Sequence, residues 1–438
     1  MTNNSTENAT DWKAGLARRV ITPDEPMFMA GFAARDHASE GVLHDLWTKA
    51  VALEDKDGNR VVLICTDIIG LPGALCDEVG ARVDKQWGVP RSHLFFNASH
   101  THSGPMLADV IDVMMSELPE EEHPRIQNYT RKLADILTAV IDEALENLQS
   151  ANVAFGRGIT TFAVNRRQPT PNGVTNGYNP AGPSDFEVPV LQVSAPDGTI
   201  RAILGGYACH TTSLGIYQFS GDWAGFAQLE LEQKFPGAQA MFMMLCGADQ
   251  NPLPRSGIER SELFGAQMTT AVVRALSEPL QPLRGPLQVS YESISLKLQP
   301  HTRDVFEACL NDSASDKWKK NHAKLMLQHY DEGKPIQEIG YPVQAISFGD
   351  DCVLLALSGE VVIDYCLRAK RELGIKNLIV AGYSNGIAAY IPSKRVLLEG
   401  GYEAGESRYY FGLPTPFADD VEERIFSAID RAIGSFAR

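Results

Sequence analysis

The alternation of apolar and polar positions predicts three β-hairpins. Residues 49–67, 190–210 and 343–360 each consist of two β-rich runs around a turn signal, and the first two turns are Asp57-Gly58 and Asp197-Gly198. A hairpin pairs antiparallel strands, so three of them indicate antiparallel or mixed sheets instead of a purely parallel sheet.

Apolar residues at three-four spacing predict five helices, which are 129–147, 224–235, 261–276, 361–373 and 419–436. Residues 303–333 are charged and helical in pattern, and we expect them to form an insertion on the outside, with His322 and His329 at the surface. The fold class is therefore α/β (α+β), with mixed β-sheets flanked by helices. We expect a disordered tail over 1–11 and a single domain over 12–438.

Composition and charge narrow the possible partners. Hydrophobic residues make up 44% of the chain and charged residues 21%, without an apolar run long enough to span a membrane. The 39 basic and 55 acidic residues give a net charge of −16, which repels nucleic acids and anionic membrane surfaces. We expect a small-molecule substrate, no nucleic acid and no stable membrane insertion.

The N-terminus and the cysteines bear on location. The first residues are polar and do not resemble a secretory signal, and the seven cysteines are odd in number and scattered in apolar surroundings. We therefore expect a cytoplasmic protein whose cysteines are core residues in a reducing compartment. The oligomeric state does not follow from the sequence.

Polar residues at the ends of apolar strands are the candidate site. "FFNASHTHSGP" places His100 and His102 two apart, on the same face of a strand end. His210, Asp249 and Glu360 also follow apolar strands. An H-x-H pair alone is more typical of half-buried histidines bonded to backbone than of a metal site, and a carboxylate after a strand is often a helix cap. Two histidines with one carboxylate, however, suit a zinc site with an open position.

Several segments resemble one family in the same order along the chain. "NASHTHSGP" is similar to the metal-binding signature of the neutral/alkaline (non-lysosomal) ceramidases, zinc amidases that cleave the N-acyl bond of ceramide. "YACHTTSLG", "SGDWAGFAQLELE", "LSGE", "GYSNGIAAYIPS" and "GGYEAG" resemble further family segments. The resemblance spans roughly residues 29–411 and implies the fold of the ceramidase catalytic domain with bound Zn²⁺.

The resemblance also implies roles for individual residues. The zinc ligands would be His100, His210, Glu360 and Tyr390. Around the substrate carbonyl would lie His102, Arg166 and Tyr402. In this arrangement His102 transfers protons, while Arg166 and Tyr402 donate hydrogen bonds to developing negative charge.

The chain departs from the family at its serine. The family stretch Gly-Asp-Val-Ser-Pro-Asn aligns with "GADQNPLP", so Asn251 replaces the serine. Because an amide cannot act as that nucleophile, we expect attack by a zinc-activated water, oriented by Asp249. The residues expected to contact the substrate are Asp67, Asp222, Asn251 and Arg167. Arg167 is expected in an entrance loop, together with Arg255.

These features predict a zinc-dependent hydrolase that cleaves a C–N bond of a small soluble polar substrate. We expect such a substrate because no membrane-docking segment is evident, and no C-terminal immunoglobulin-like domain is expected after the helix at 419–436. Two alternatives remain open. One is a metal-dependent glycoside hydrolase that uses Asp249 with Glu403 or Glu406, and the other is a non-catalytic binding protein on the same fold.

Overall fold

The structure of the protein, a computed structural model, describes residues 11–436. The strands are β1 Trp12–Val20, β2 Gly41–Val42, β3 Trp47–Asp55, β4 Arg60–Thr66, β5 Leu94–Ala98, β6 Gln149–Ile159, β7 Ala163–Asn165, β8 Arg167–Thr170, β9 Gly173–Asn176, β10 Glu187–Ser194, β11 Ile200–Tyr207, β12 Gln218–Phe219, β13 Gln239–Met244, β14 Gln250–Pro252, β15 Gln281–Pro282, β16 Leu287–Lys297, β17 Glu338–Phe348, β18 Cys352–Leu357, β19 Glu360–Val361, β20 Leu378–Ala381 and β21 Tyr390–Ile391. The tail expected over 1–11 lies outside the described residues, apart from Asp11.

The helices are α1 Gly73–Trp87, α2 Asp112–Met115, α3 Glu122–Glu146, α4 Asp222–Lys234, α5 Ile258–Ser277, α6 Arg303–Asn311, α7 Lys317–Asp331, α8 Ile363–Glu372, α9 Lys394–Glu399, α10 Arg408–Phe411 and α11 Val421–Gly434. A 3₁₀ turn covers Arg91–His93, and a π-helix covers Tyr402–Glu406. The predicted insertion at 303–333 contains α6 and α7. Among the described residues, no helix is both long and apolar enough to cross a bilayer.

Two mixed sheets form the centre of the fold. The larger sheet has the strand order β13-β11-β10-β6-β1-β3-β4-β5, with β15 beside β6, and the smaller has the order β16-β17-β18-β20. The three predicted hairpins are confirmed as the antiparallel pairs β3–β4, β10–β11 and β17–β18. Parallel pairs such as β4–β5 and β18–β20 make both sheets mixed, as the predicted fold class requires.

Two large apolar clusters of described residues lie on opposite faces of the larger sheet. One fills the space between the two sheets and extends to α8 and α11. Trp12 belongs to it: its Nε1 donates to Leu283 O at 2.8 Å and its ring lies 6.0 Å from that of Phe348. The other cluster lies beneath α1, α3, α4 and α5. Helices therefore cover the outer face of each sheet, which hides the apolar strands from water.

The five predicted helices are all present, with small differences at their ends. The largest difference is in α3, which begins at Glu122 although the apolar spacing becomes visible only later. Its first turn contains Pro124, and proline is tolerated there because the first N–H groups of a helix have no partner within the helix. The predicted surface position of His322 is wrong. Its side chain is buried, and Nε2 lies 2.7 Å from Leu413 O.

Asn97 joins the two edges of the larger sheet to the smaller sheet. Asn97 lies in β5, one edge strand, and Met244 ends β13, the other. The amide Oδ1 of Asn97 accepts from Met244 N at 2.8 Å, and its Nδ2 donates to Met244 O at 3.1 Å. The same Nδ2 donates to Gly382 O, directly after β20, at 2.9 Å. A single buried side chain therefore completes backbone hydrogen bonding between three strands.

Replacing Asn97 should destabilise the fold. Asn97→Ala leaves the N–H and C=O of Met244 buried without these partners, and we expect the free energy of unfolding to fall by about 3 kcal/mol. Denaturant unfolding measures the change. Asn152→Ala is the matched control because Asn152 is exposed and its bond to Ala195 O is 3.5 Å long, so the loss should stay below about 0.5 kcal/mol. Equal losses in both variants would contradict the role of Asn97.

The burial of His322 should make stability depend on pH. Burial lowers the pKa of His322 from 6.5 to about 4, so between these values the unfolded chain takes up a proton that the folded chain does not. Stability should therefore fall as the pH decreases from 6.5 towards 4. In His322→Gln this fall should be shallower by up to about 1.4 kcal/mol per pH unit, whereas His329→Gln, on the same helix, should leave it unaltered. Identical slopes in both variants would refute the prediction.

Candidate active site

The ends of several strands bring the predicted histidines together. His100 follows β5 and His210 follows β11, and the two segments run side by side through a parallel bridge between Thr101 and Thr211. His100 has a φ of +57°, in the left-handed region that few residues with a side chain adopt. This turn of the backbone directs the chain out of β5 at the point where the site begins.

The backbone fixes which ring nitrogen of two histidines faces the site. Nδ1 of His100 lies 2.6 Å from Ile69 O, and Nδ1 of His210 lies 2.8 Å from Gly247 O. A carbonyl oxygen only accepts, so each Nδ1 carries the proton and each Nε2 presents a lone pair. The two rings thus have the tautomer and the orientation of metal-binding histidines.

Glu360 and His102 complete a group of converging acceptors. Oε2 of Glu360 lies 3.2 Å from Nε2 of His100 and 3.4 Å from Nε2 of His210. Nε2 of His102 lies 3.2 Å from Nε2 of His100. The ligand atoms of the three histidines all lie within 4.8 Å of one another. Lone pairs that face each other this closely repel, unless a proton or a cation lies between them.

Burial sets the charge states of these groups. Burial, with Arg166 beside it, lowers the pKa of His210 to about 4. Burial and the neighbouring His100 and His210 hold the pKa of His102 well below its ordinary value. Burial opposes ionisation of Glu360, but His100 and His210 outweigh it and hold the pKa of that carboxyl well below its usual value. Neutral imidazole and ionised carboxylate are the forms that bind metals.

These residues fit a divalent cation. Nitrogen ligands from histidine with one carboxylate oxygen are the donor set of catalytic zinc sites. The structure supplies that set with two histidine tautomers already fixed, and the mutual approach of the acceptors is explained by a positive ion among them. Tyr390 pairs with Glu360 in the β19–β21 register, and its hydroxyl oxygen lies 3.5 Å from Nε2 of His210.

A buried arginine lies behind these ligands. Arg166 donates from Nη2 to the hydroxyl of Tyr390 at 3.1 Å and from Nε to Oε1 of Glu403 at 2.7 Å, and its Nη1 is 3.2 Å from Nε2 of His210. Its guanidinium carbon lies 5.6 Å from the centre of the Tyr402 ring. Arg166 therefore adjoins the predicted site, with Glu403 balancing its charge.

A cavity of about 270 Å³ opens beside the histidines. His102, Glu360, Tyr390 and Tyr402 line it on one side. The other described lining residues are mostly apolar and include Phe32, Ile69, Val110, Ile111, Met114, Ile387 and Phe411. Gly31 also lines it, with a φ of +100°, and a Cβ there would come within 2.5 Å of the His102 ring, so only glycine fits above that ring.

The oxygens of three carboxylates that were predicted for the site accept hydrogen bonds from other groups of the protein. Asp249 accepts from Ile363 N and Asn165 Nδ2, and burial raises the pKa of Asp249 to about 6. Asp67 accepts from Trp47 N at 3.1 Å and from Gln228 Nε2 at 3.3 Å. Asp222 is fully buried, and its two carboxylate oxygens accept from the backbone N–H groups of Ser213, Leu214 and Trp223. None of these three carboxylates is among the described residues that line the cavity beside His102.

The predicted entrance position of Arg167 is wrong. The side chain is only 1% exposed, because Nη1 donates to Oε2 of Glu403 at 2.6 Å and Nη2 donates to Glu399 and to Gly400 O. Arg167 thereby anchors the first residue of the β8–β9 hairpin. Asn251 lies in β14 opposite Val164 and lines a second cavity.

Sequence analysis did not identify two residues that contact the site. The hydroxyl of Tyr383 donates to Glu360 at 3.3 Å, and its ring centre lies 4.4 Å from that of His100. Arg35 donates to His102 O at 2.7 Å and to Ala30 O. Tyr383 follows strand β20, so the strand-end signal that identified the other residues also applied to it.

Comparison with known proteins identifies the family of this chain. No curated protein matches the chain. A solved neutral ceramidase from Pseudomonas aeruginosa is similar at a TM-score of 0.72 with 18% sequence identity, over 97% of this chain and 74% of that one. A ceramidase complexed with C2 gives a TM-score of 0.73 and 17% identity, with 97% and 75% covered. The family model for the N-terminal part of neutral/alkaline non-lysosomal ceramidases matches residues 12–273. This chain therefore belongs to the neutral/alkaline non-lysosomal ceramidase family.

Proposed function

We propose that the chain is a zinc-dependent amidase, which hydrolyses the C–N bond of a soluble N-acyl compound and not membrane ceramide. The observation that carries this proposal is the convergence of His100 Nε2, His210 Nε2 and Glu360 Oε2 beside a cavity. We assign these three residues and Tyr390 as the zinc ligands. A bound zinc ion would polarise the substrate carbonyl and make water a nucleophile near neutral pH.

The roles of the surrounding side chains follow from their places around the cavity. His102 lines the cavity and its Nε2 lies beside the ligand atom of His100, so its neutral ring can accept a proton from the attacking water and return it to the leaving nitrogen. The hydroxyl-bearing Tyr402 also lines the cavity and can donate to the developing oxyanion. Arg166 bonds to Tyr390 and Glu403, and we assign it to positioning Tyr390.

The lining of the cavity bears on the substrate. A substrate that is polar throughout does not suit walls made of Phe32, Ile69, Ile111 and Phe411. An amide with an apolar acyl group does suit them, because burial of that group in the cavity is favourable. We therefore place the acyl group in this cavity and the polar part of the substrate on the amine side of the bond.

The alternatives have less support from the contacts. The glycoside hydrolase hypothesis needs a pair of free carboxylates. Glu403 is buried between Arg166 and Arg167, and Asp249 holds Ile363 N and Asn165 Nδ2. The binding-protein hypothesis predicts ligand binding without turnover, so any multiple-turnover reaction excludes it.

Metal content tests the ligand assignment. We expect about one zinc per chain in the purified protein by mass spectrometry, and less than a tenth of that in His100→Ala and His210→Ala. His329→Ala should retain the zinc, because His329 lies on α7 away from the site. A folded, unaltered protein without zinc even after zinc is supplied, or full zinc in His100→Ala, would refute the assignment.

Turnover of N-acyl substrates tests the chemistry. His102→Ala should lose about 100-fold or more in kcat, because among the described residues that line the cavity no second histidine can transfer the proton. Asn251→Ala should keep its kcat within about tenfold of that of the unaltered protein, since the amide is not a nucleophile, whereas a role of Asn251 in substrate binding would change KM. Initial rates with N-hexanoyl amides measure both variants. Full activity in His102→Ala would eliminate the proposed proton transfer, and product from aryl glycosides instead would favour the glycosidase.

A further inference from the structure

The second cavity lies next to the proposed acyl cavity. It measures about 660 Å³, and Asn251, Leu253, Pro254, Arg255 and Tyr178 are among its lining residues. Asn176, at the end of the β8–β9 hairpin, lines both cavities. A substrate whose carbonyl lies near His102 and Tyr402 can therefore extend into both of them, with one end in each.

Arg255 differs from the other two arginines near the site. Arg166 and Arg167 are neutralised by Glu403, and Arg167 also by Glu399. Within residues 11–436, no carboxylate lies within ion-pair distance of Arg255, and burial and the nearby Arg166 both lower its pKa. Since a guanidinium remains charged in proteins, Arg255 presents a positive charge at the solvent side of the second cavity that the described carboxylates leave uncompensated.

Asn251 provides an independent observation at the same cavity. Its side chain is 2% exposed, and its Oδ1 is buried without a donor among the described residues. A buried amide oxygen without a hydrogen bond is unfavourable, so a group that donates to it would be bound preferentially. An amide N–H of a substrate is such a donor.

We propose that the second cavity binds the amine portion of an N-acyl amino acid, with Arg255 bound to its carboxylate and Asn251 accepting from its amide N–H. The proposal deepens the proposed amidase function and rests on it for the direction of the substrate. In the reaction, water adds its oxygen to the carbonyl carbon and the C–N bond breaks. The products are a fatty acid carboxylate and an amino acid whose ammonium carries the protons of the amide and of water. A bidentate guanidinium–carboxylate pair accounts for recognition of the acid.

Binding of a ligand that cannot be cleaved tests the carboxylate site without relying on turnover. 4-Oxononanoic acid has the shape of N-hexanoylglycine with CH₂ in place of the amide N–H, and 1-hydroxy-4-nonanone is its uncharged counterpart. Calorimetry with the zinc-supplemented protein should show the acid binding about tenfold more tightly than the alcohol. Arg255→Gln should lose this preference. Arg274→Gln, an exposed position at the far end of α5, should keep it.

Hydrolysis of N-hexanoylglycine and N-hexanoylglycinamide, measured in parallel, separates the two proposals. We expect a KM about tenfold lower for the acid in the unaltered protein and equal values in Arg255→Gln, with kcat little changed. Equal binding of the acid and the alcohol, or a preference that survives in Arg255→Gln, would overturn the carboxylate site while leaving amide hydrolysis intact. A preference in binding without hydrolysis of either compound would instead remove the amidase function and keep the site.

Discussion

The hydrogen bonds of Asn97 are the constraint on which the site depends. The larger sheet ends in β5 on one side and β13 on the other, and the Asn97 amide links these edges to each other and to the smaller sheet. His100 follows β5 by two residues, and the chain that carries Tyr383 follows β20. With the strand ends fixed, the side chains beyond them face one another, and the carbonyls of Ile69 and Gly247 orient the rings of His100 and His210.

The buried charged side chains near these strand ends differ in whether they have a partner of opposite charge. Glu403 faces both Arg166 and Arg167, and the three side chains are almost wholly buried, so each charge needs a partner to offset the loss of solvation. Glu360 has no arginine within ion-pair distance among the described residues, and its neighbours are two histidines and Tyr383. Glu360 is thus a buried carboxylate at the candidate metal centre without a fixed positive partner, and a cation bound there would balance its charge.

Local patterns predicted most of the fold but only part of the site. The hairpins and helices could be predicted because turn residues and apolar spacing are read within short windows, and strand-end polarity pointed to His100, His210 and Glu360. Arg167 and His322 were placed wrongly because their partners are distant: Glu403 lies 236 residues beyond Arg167, and Leu413 lies 91 beyond His322. The apolar walls of the cavity come from several separate segments, so the sequence could not indicate that the cavity beside His102 is apolar.

The β8–β9 hairpin borders both cavities but carries none of the histidines of the site. Arg167 fixes the base of the hairpin to Glu399, Gly400 and Glu403, while its tip is exposed and Asn176 borders both cavities. Asn176 pairs with Arg167 at that base, so substitutions of Asn176 would alter the border of both cavities without disturbing the strand ends that carry the histidines. In evolutionary terms, chains of this fold can diversify in the compounds they accept through a short surface segment and inherit one set of reactive groups unchanged.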